Sequence, residues 1–150
     1  MKKGFGLVEV VVGVAIMTLT LYALFFASQS SLRLSREATR RVQASFLLEE
    51  GAEALRTLRD RDWNNLPASG DFYLLFSSGQ WATTSSPEII DDFFKRTITA
   101  SPVYRDGSDD ISPSGTLDSD TLLFTVAVEW PEGDPEHSAS LRAYLTNMFK

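Results

Sequence analysis

The sequence has no cysteine and a single histidine. Without cysteine the chain has no disulfide framework, no thiolate zinc site, no iron–sulfur cluster and no cysteine nucleophile. One histidine cannot build a His-rich metal site, so acid–base chemistry would fall to carboxylates. The formal net charge of −6 argues against a broad phosphate-neutralising surface. We therefore expect no direct nucleic-acid binding.

Catalytic motifs are also missing from the sequence. It has no P-loop, no dinucleotide-binding fingerprint and no serine in a nucleophile motif near His137. The adjacent carboxylates Glu49–Glu50 and Asp91–Asp92 point apart in either a helix or a strand, so exposed charge explains them better than catalysis. The sequence therefore predicts a protein that is not an enzyme.

Proline is absent before Pro67, and only Gly13 and Gly51 interrupt the helical composition after Gly6. Because proline breaks helices and glycine weakens them, this pattern favours one long helix. From Phe5 to Asp62 such a helix would be about 85 Å long at 1.5 Å per residue.

The first part of this helix, residues 5–27, is almost entirely apolar (FGLVEVVVGVAIMTLTLYALFFA) and carries Glu9 as its only charged side chain. About 20 such residues suffice to cross the hydrocarbon core of a bilayer. Lys2 and Lys3 precede the run, which places the N-terminus in the cytoplasm and Ser28 onward outside.

Two ordinary alternatives fit this segment less well. A secretory signal peptide has a shorter apolar core and a small-residue cleavage site, whereas Phe25 and Phe26 precede Ala27 here. A plain membrane anchor does not explain Glu9, because a carboxylate at mid-helix costs about 2.5–3.5 kcal/mol on the insertion scale. Although Glu9 lies near the interface and costs less there, it still requires a partner.

The stretch KKGFGLVEVVVGVAIM resembles the processing motif of type IV pilins and type II secretion pseudopilins. Four features occur in the family's order: a short basic leader with Lys2 and Lys3, then Gly4, then Phe5, and Glu9 four residues later in an apolar run. The resemblance implies a leader of residues 1–4. It also implies that prepilin peptidase cuts between Gly4 and Phe5 and methylates the new amine of Phe5.

The same resemblance assigns an assembly role to Glu9. Cutting creates a positive α-amine at the edge of the apolar segment, and a carboxylate one turn along the helix can neutralise it, within its chain or in a neighbouring subunit. The implied partners are other pilin or pseudopilin subunits, prepilin peptidase, an inner-membrane assembly platform and membrane lipid. The implied location is the cytoplasmic membrane before assembly and an extracellular or periplasmic filament afterwards.

The chain departs from the family pattern in several places. Gly6 and Val8 replace a hydroxyl residue and isoleucine, the leader is short, and the kinking proline of many pilins is absent. The missing C-terminal disulfide loop favours a minor pilin or a pseudopilin. A surface pilus, a secretion pseudopilus and a non-polymerising membrane-tethered enzyme or binding domain stay open as alternatives.

Residues 28–66 are predicted to continue the helix as an amphipathic segment. Its charges form i,i+4 pairs, such as Arg33 with Glu37 and Arg56 with Asp60, which we interpret as a solvated face. Residues 64–67 form a helix stop. We expect the helix end to pack against the head, with a partner-binding helix as the alternative. The apolar positions near a 3.6-residue period are Leu32, Ala38, Val42, Ser45/Phe46, Ala52, Leu55 and Leu58, and the predicted packing residues are Leu55, Leu58, Leu66 and Trp63.

Residues 67–150 are predicted to form a small β-rich head. From Trp63 onward thirteen acidic and five basic side chains give a net charge of −8, so the acidity belongs to this part. Alternating side chains predict strands at residues 72–76, 94–104, 122–130 and 140–147. An antiparallel sheet laid on the apolar stripe of the helix gives an α+β fold resembling that of pilins.

The segment 106–120 is an acidic loop with a conceivable calcium site. Flexible loops rich in oxygen ligands bind Ca²⁺, and some pseudopilins bind it in a comparable loop. The spacing does not match an EF-hand, and such loops are usually just solvated, so our prediction is no metal with calcium as the alternative. The candidate ligands are Asp106, Asp109, Asp110, Asp118 and Asp120.

Overall fold

The computed structural model describes residues 6–131 and 137–148. Within these residues the helix α1 spans Leu7–Arg61, which is 55 residues. A short 3-10 helix, Trp63–Asn65, follows it. The strands described in this part of the chain are β1 (Gly70–Ser77), β2 (Gln80–Thr84), β3 (Ile89–Ile90), β4 (Phe94–Arg105), β5 (Ile111–Ser112), β6 (Thr116–Trp130) and β7 (His137–Thr146).

The strands form one antiparallel sheet in the order β2-β1-β4-β6-β7, and the short strands β3 and β5 pair with β4. The long strands β4 and β6 lie at its centre, paired from Lys95↔Glu129 to Arg105↔Thr116 with a register shift at Pro102/Val103. Strand β7 pairs with β6 along its whole length. The sheet is therefore organised around β4 and β6.

One face of this sheet is apolar, as the alternation in the sequence predicts. On β6 the side chains of Phe124, Val126 and Val128 are at most 2% exposed, while the residues between them are half-buried. On β4 the same face presents Ile98 and Ala100. The period of two therefore identified the core face correctly.

The last 21 residues of α1, from Arg41 to Arg61, pack on this face. The helix contributes Ala44, Leu48, Leu55 and Leu58 to the same core as Phe124. The predicted α+β fold, a long N-terminal helix packed on an antiparallel sheet in a pilin-like architecture, is confirmed.

Only the last part of the stripe that the sequence predicts enters the core, where Ala52, Leu55 and Leu58 are buried. The large apolar side chains of Leu32, Val42 and Phe46 are 52%, 54% and 65% exposed. The face against the sheet instead carries the small residues Ala44 and Gly51, which allow the helix backbone to approach the strands closely. The predicted stripe is therefore wrong for Leu32, Val42 and Phe46 and correct for Ala52, Leu55 and Leu58. The predicted packing residues Leu55, Leu58 and Leu66 are buried, and Trp63 is half-buried against the core.

The four predicted strands are present as β1, β4, β6 and β7, with bounds that differ by a few residues. The alternating pattern does not predict β2, although a tight turn connects this strand to β1. Ser78 and Gly79 both have positive φ, 53° and 77°, between the paired residues Ser77 and Gln80. A two-residue loop of this kind is a standard hairpin connection. Strand β6 also begins at Thr116, inside the segment predicted to be an acidic loop.

Contacts divide the chain into two compact units, one ending at Arg40 and the other beginning at Arg41. The first unit contains the apolar part of α1, and the second contains the rest of α1 and the sheet. The helical segment 28–66 therefore belongs in part to each unit.

Gly51 provides a test of the close approach between α1 and the sheet. A Cβ atom at this position would lie 2.9 Å from Val126 Cγ1 and 3.2 Å from Arg96 Cδ, so neighbouring atoms must move. Overpacking typically costs about 1–3 kcal/mol, against a helix-propensity gain of about 1 kcal/mol. We expect Gly51→Ala to lower the free energy of unfolding by about 1 kcal/mol. Denaturation of the full chain in detergent, followed by fluorescence of the three tryptophans, measures this change.

The exposed Gln43 provides the control, because Gln43→Ala adds no contact with the sheet and should change stability by less than about 0.5 kcal/mol. If Gly51→Ala is as stable as the wild type or more stable, this result would contradict the close approach of α1 to the sheet at Gly51.

Candidate functional site

The first unit of the chain is an exposed apolar helix. Every residue from Gly6 to Arg36 is exposed within the structure. The helix is long and apolar enough to cross a membrane, and none of its most apolar 18-residue window is buried. This part of α1 is therefore compatible with membrane insertion.

The hydroxyl groups inside the apolar segment are satisfied by the helix itself. Thr18 Oγ1 donates to the carbonyl oxygen of Val14 at 2.8 Å, and Thr20 Oγ1 donates to that of Ile16 at 2.9 Å. Such bonds remove the cost of an unpaired hydroxyl in an apolar medium. Glu9 is the charged group that this segment must accommodate.

Glu9 lies in the first turn of α1 and accepts a hydrogen bond there. The helix begins at Leu7, and the backbone N–H of Gly6 donates to Glu9 Oε2 at 3.1 Å. This is one half of a capping box, in which the residue at the third helical position reaches back to the N-cap. A negative charge at this end is also favoured by the helix dipole. The first turn of the helix therefore offsets part of the free-energy cost of a charged carboxylate in this apolar segment.

A carboxylate can accept hydrogen bonds from several donors at once, so the bond from Gly6 leaves capacity for a further partner. The other processing and leader residues, Lys2, Lys3, Gly4 and Phe5, lie outside the described residues. The cleavage site and the pairing of Glu9 with an α-amine accordingly stay predictions.

Arg96 on β4 makes a buried polar contact between the sheet and α1. Its side chain is 4% exposed and Nη1 donates to the carbonyl oxygen of Leu47 at 3.1 Å. The same atom lies 3.5 Å from Glu50 Oε2, and the guanidinium carbon lies 5.5 Å from the ring centre of Trp81. Burial lowers the pKa of Arg96, while Glu50 acts in the opposite direction. Arg96 therefore joins α1 to β4 and β2.

The sequence does not predict this role, since Arg96 stands there only as one of the basic residues of the head. A signal was present in the pattern of β4, because Phe94, Arg96, Ile98 and Ala100 fall on one face of the strand. A charged residue in an otherwise apolar alternation is buried only if it is paired. Its partners come from α1, and the strand pattern does not identify them.

The carboxylates of the segment 106–120 organise a turn. Asp106 Oδ1 accepts hydrogen bonds from the backbone N–H groups of Ser108 at 2.8 Å and Asp110 at 3.1 Å. Arg105 Nη1 donates to the carbonyl oxygen of Asp109 at 2.8 Å. Its Nε donates to Asp118 Oδ2 at 2.7 Å. A guanidinium therefore supplies the positive charge beside these acids.

The calcium alternative finds no support in this geometry. Within residues 6–131 and 137–148 no group of three or more Asp, Glu or His side chains could hold a metal ion. Asp118 and Asp120 belong to strand β6, whereas Asp106, Asp109 and Asp110 belong to the turn before β5. Asp118 and Asp109 approach the same guanidinium, with Arg105 Nε 2.7 Å from Asp118 Oδ2 and 3.6 Å from Asp109 Oδ1.

The remaining carboxylates and the histidine occupy separate places. His137 stacks on Trp130 with the ring centres 5.8 Å apart. Asp91 and Asp92 form a turn in which both residues have a φ of 52°. Glu49 is exposed on α1. These groups are not assembled into one site.

The pair Arg105–Asp118 makes the stability of the head depend on pH. The hydrogen bond from Arg105 lowers the pKa of Asp118 below its ordinary value of about 3.9. A lowered pKa stabilises the fold above the unfolded value, and this contribution is lost as the pH falls through the folded value. We expect Asp118→Asn to lower the unfolding temperature at pH 7, and the difference from wild type to begin to shrink as the pH falls below about 3.9.

Thermal unfolding of both chains between pH 7 and pH 3 measures this difference. The matched control is Asp92→Asn, because Asp92 is exposed and asparagine tolerates its positive φ. A difference between wild type and Asp118→Asn that stays constant with pH would contradict the role of the pair.

No protein-family model, curated protein or solved structure matches this chain. The N-terminal motif therefore has to be interpreted from its own residues, together with the exposed apolar helix and the α+β head that follow it.

Proposed function

We propose that this chain is a structural subunit of a type IV pilin-like filament, as a minor pilin or a pseudopilin. The precursor is held in the cytoplasmic membrane by residues 5–27 with its N-terminus inside. Prepilin peptidase then cuts between Gly4 and Phe5, and an inner-membrane assembly platform passes the subunit into the filament.

The observation that carries this proposal is the unequal burial along α1. Residues from Arg41 onward provide the core of the head, whereas the apolar residues from Leu7 to Ala27 are covered by nothing within the described chain. An apolar helix must be covered by lipid or by other apolar surface. Parallel copies of the same helix supply that surface once the helix has left the lipid.

Glu9 distinguishes a filament subunit from a membrane tether. A tethered enzyme or binding domain gains nothing from a carboxylate in its anchor, because the charge opposes insertion. In a filament the carboxylate pairs with the α-amine at Phe5 of a neighbouring subunit, and each desolvated charge compensates the other. The secretion pseudopilus uses the same residues as a surface pilus, so it stays the alternative within this class.

The proposal predicts that Glu9→Gln is inserted and processed normally but fails to enter filaments. Removing one partner of a desolvated ion pair costs about 3 kcal/mol, which is roughly a hundredfold in an association equilibrium. Shearing filaments from the cells and comparing the sheared and membrane fractions by immunoblot measures incorporation.

The control is Glu88→Gln, which neutralises an exposed acid in the loop before β3 and should leave incorporation unchanged. Equal amounts of Glu9→Gln and wild-type protein in the sheared fraction would contradict the proposal. Improved membrane insertion of Glu9→Gln with no other effect would favour the tether.

A further inference from the structure

Two faces of α1 outside the head core have matching residue spacing. The first, which we call the arginine face, consists of Gln29, Arg33, Arg36 and Arg40 in the first compact unit. The second, which we call the glutamate face, consists of Val42, Phe46, Glu49 and Glu53 in the second unit. Both sets have spacings of four, three and four residues, so each forms one continuous helix face. Each residue of the glutamate face lies 13 positions after its counterpart in the arginine face.

The charges on these faces are incompletely paired within their own chain. Arg33, Arg36 and Glu49 are exposed and form no ion pair with any described residue. The predicted pair of Arg33 with Glu37 is not among the ion pairs found in this part of the chain. These three charges are therefore available to a partner.

The apolar members of the glutamate face are exposed as well. Val42 and Phe46 are 54% and 65% exposed, although both belong to the unit that contains the head core. Two large apolar side chains one turn apart, followed by a carboxylate, form a surface suited to an arginine-bearing helix.

We propose that the arginine face of one copy docks on the glutamate face of a second copy, with the helices parallel and offset by 13 residues. This inference rests on the proposed function and names the contact that the filament uses. At this offset Arg36 meets Glu49 and Arg33 lies over the ring of Phe46, which gives an ion pair and a cation–π contact. Gln29 meets Val42 and Arg40 meets Glu53 in the same register.

The parallel orientation follows from membrane insertion, because every copy enters the bilayer in the same sense. Parallel helices without an offset would place arginines beside arginines and glutamates beside glutamates, which is unfavourable. The offset replaces this repulsion with arginine–glutamate pairs and an arginine–phenylalanine contact. The charge pattern therefore favours a staggered arrangement over an aligned one.

An offset of 17 residues is the closest competitor, since it would pair Arg33 with Glu50 and Arg36 with Glu53. Glu50 already lies 3.5 Å from the buried Arg96, so pairing it with Arg33 would compete with a contact that holds α1 to the sheet. The offset of 13 instead uses Glu49, which has no ion pair among the described residues. The 13-residue register therefore requires less rearrangement of the head.

The two copies contribute different faces to the contact, the arginine face of one and the glutamate face of the other, so the contact is heterologous. After one copy uses its arginine face, its glutamate face is still available to the next copy. Heterologous contacts that do not close into a ring extend into open helical filaments. The proposed contact therefore propagates.

Charge reversal tests the register in the full-length chain. We expect Arg36→Glu alone and Glu49→Arg alone to reduce filament yield by about tenfold or more, because each places like charges together. The double variant Arg36→Glu with Glu49→Arg restores the pair and should recover the yield to within about twofold. The matched control, Arg36→Glu with Glu53→Arg, should not recover, since these residues meet only at the offset of 17.

The outcomes separate this inference from its rivals. Recovery by Glu53→Arg instead of Glu49→Arg would overturn the 13-residue register. Anionic lipid is the other partner that exposed arginines near a membrane can bind. If Arg36→Glu weakens binding to phosphatidylglycerol vesicles and Glu49→Arg does not restore filaments, the arginine face binds lipid and the inference is wrong. Unchanged yield in both single variants, with Glu9→Gln still blocking incorporation, overturns the inference and leaves the proposed function standing.

Disulfide trapping tests the same contact in membranes, independently of filament yield. The chain has no cysteine of its own, so Gln29→Cys with Val42→Cys introduces two thiols and leaves the arginines and glutamates intact. Cysteines 13 residues apart on one helix are about 20 Å apart, well beyond the roughly 7 Å that a disulfide can span between Cα atoms. Any disulfide that forms therefore joins two copies.

We expect mild oxidation to give a ladder of linked oligomers for this pair and no ladder for either single variant. The control pair is Gln29→Cys with Gln43→Cys, in which the second thiol lies on a neighbouring face of the helix. A ladder from the 29/42 pair and not from the control pair supports the contact. If this ladder forms in cells that form no filaments, the contact is supported while the proposed function is contradicted. The absence of a ladder, or an equal ladder from the control, overturns the inference.

Discussion

The constraint on which the rest depends is that the apolar part of α1 has no cover within residues 6–131 and 137–148 of its own chain. Residues from Leu7 to Ala27 are exposed throughout, and water is an unfavourable environment for such a surface. Lipid can cover it in the precursor, and parallel helices of neighbouring copies can cover it in a polymer. Glu9 makes these two environments unequal, since its charge opposes burial in lipid, whereas the proposed filament offers it an opposite charge.

The part of α1 from Arg41 to Arg61 differs, because the sheet of the same chain covers it. Gly51 lets the helix approach β6, and Arg96 reaches from β4 to the carbonyl oxygen of Leu47. The buried guanidinium has partners on the helix and on β2, so its desolvation is compensated. One helix thus combines a segment that needs external cover with a segment that holds the head together.

Sequence reasoning succeeded where a physical signal is local and periodic. The alternation on β6 identified the core face, and the proline-free apolar run identified α1. It failed where partners come from distant segments: the partners of Arg96 lie on α1 and β2, and the exposure of Phe46 depends on which helix face the sheet selects. In the segment 106–120 the pairing of Asp118 with Arg105 was likewise not predicted, because Arg105 lies just outside the acidic pattern.

The account places the start of the mature chain at Phe5, directly before the helix that must leave the lipid. Intact-mass and peptide mass spectrometry of the protein purified from membranes of its native cells tests this most directly. The account predicts an N-terminal peptide beginning at Phe5 with one methyl group on its amine. A mature protein that still begins at Met1 would contradict it, because no new amine would then exist beside the apolar helix to pair with Glu9.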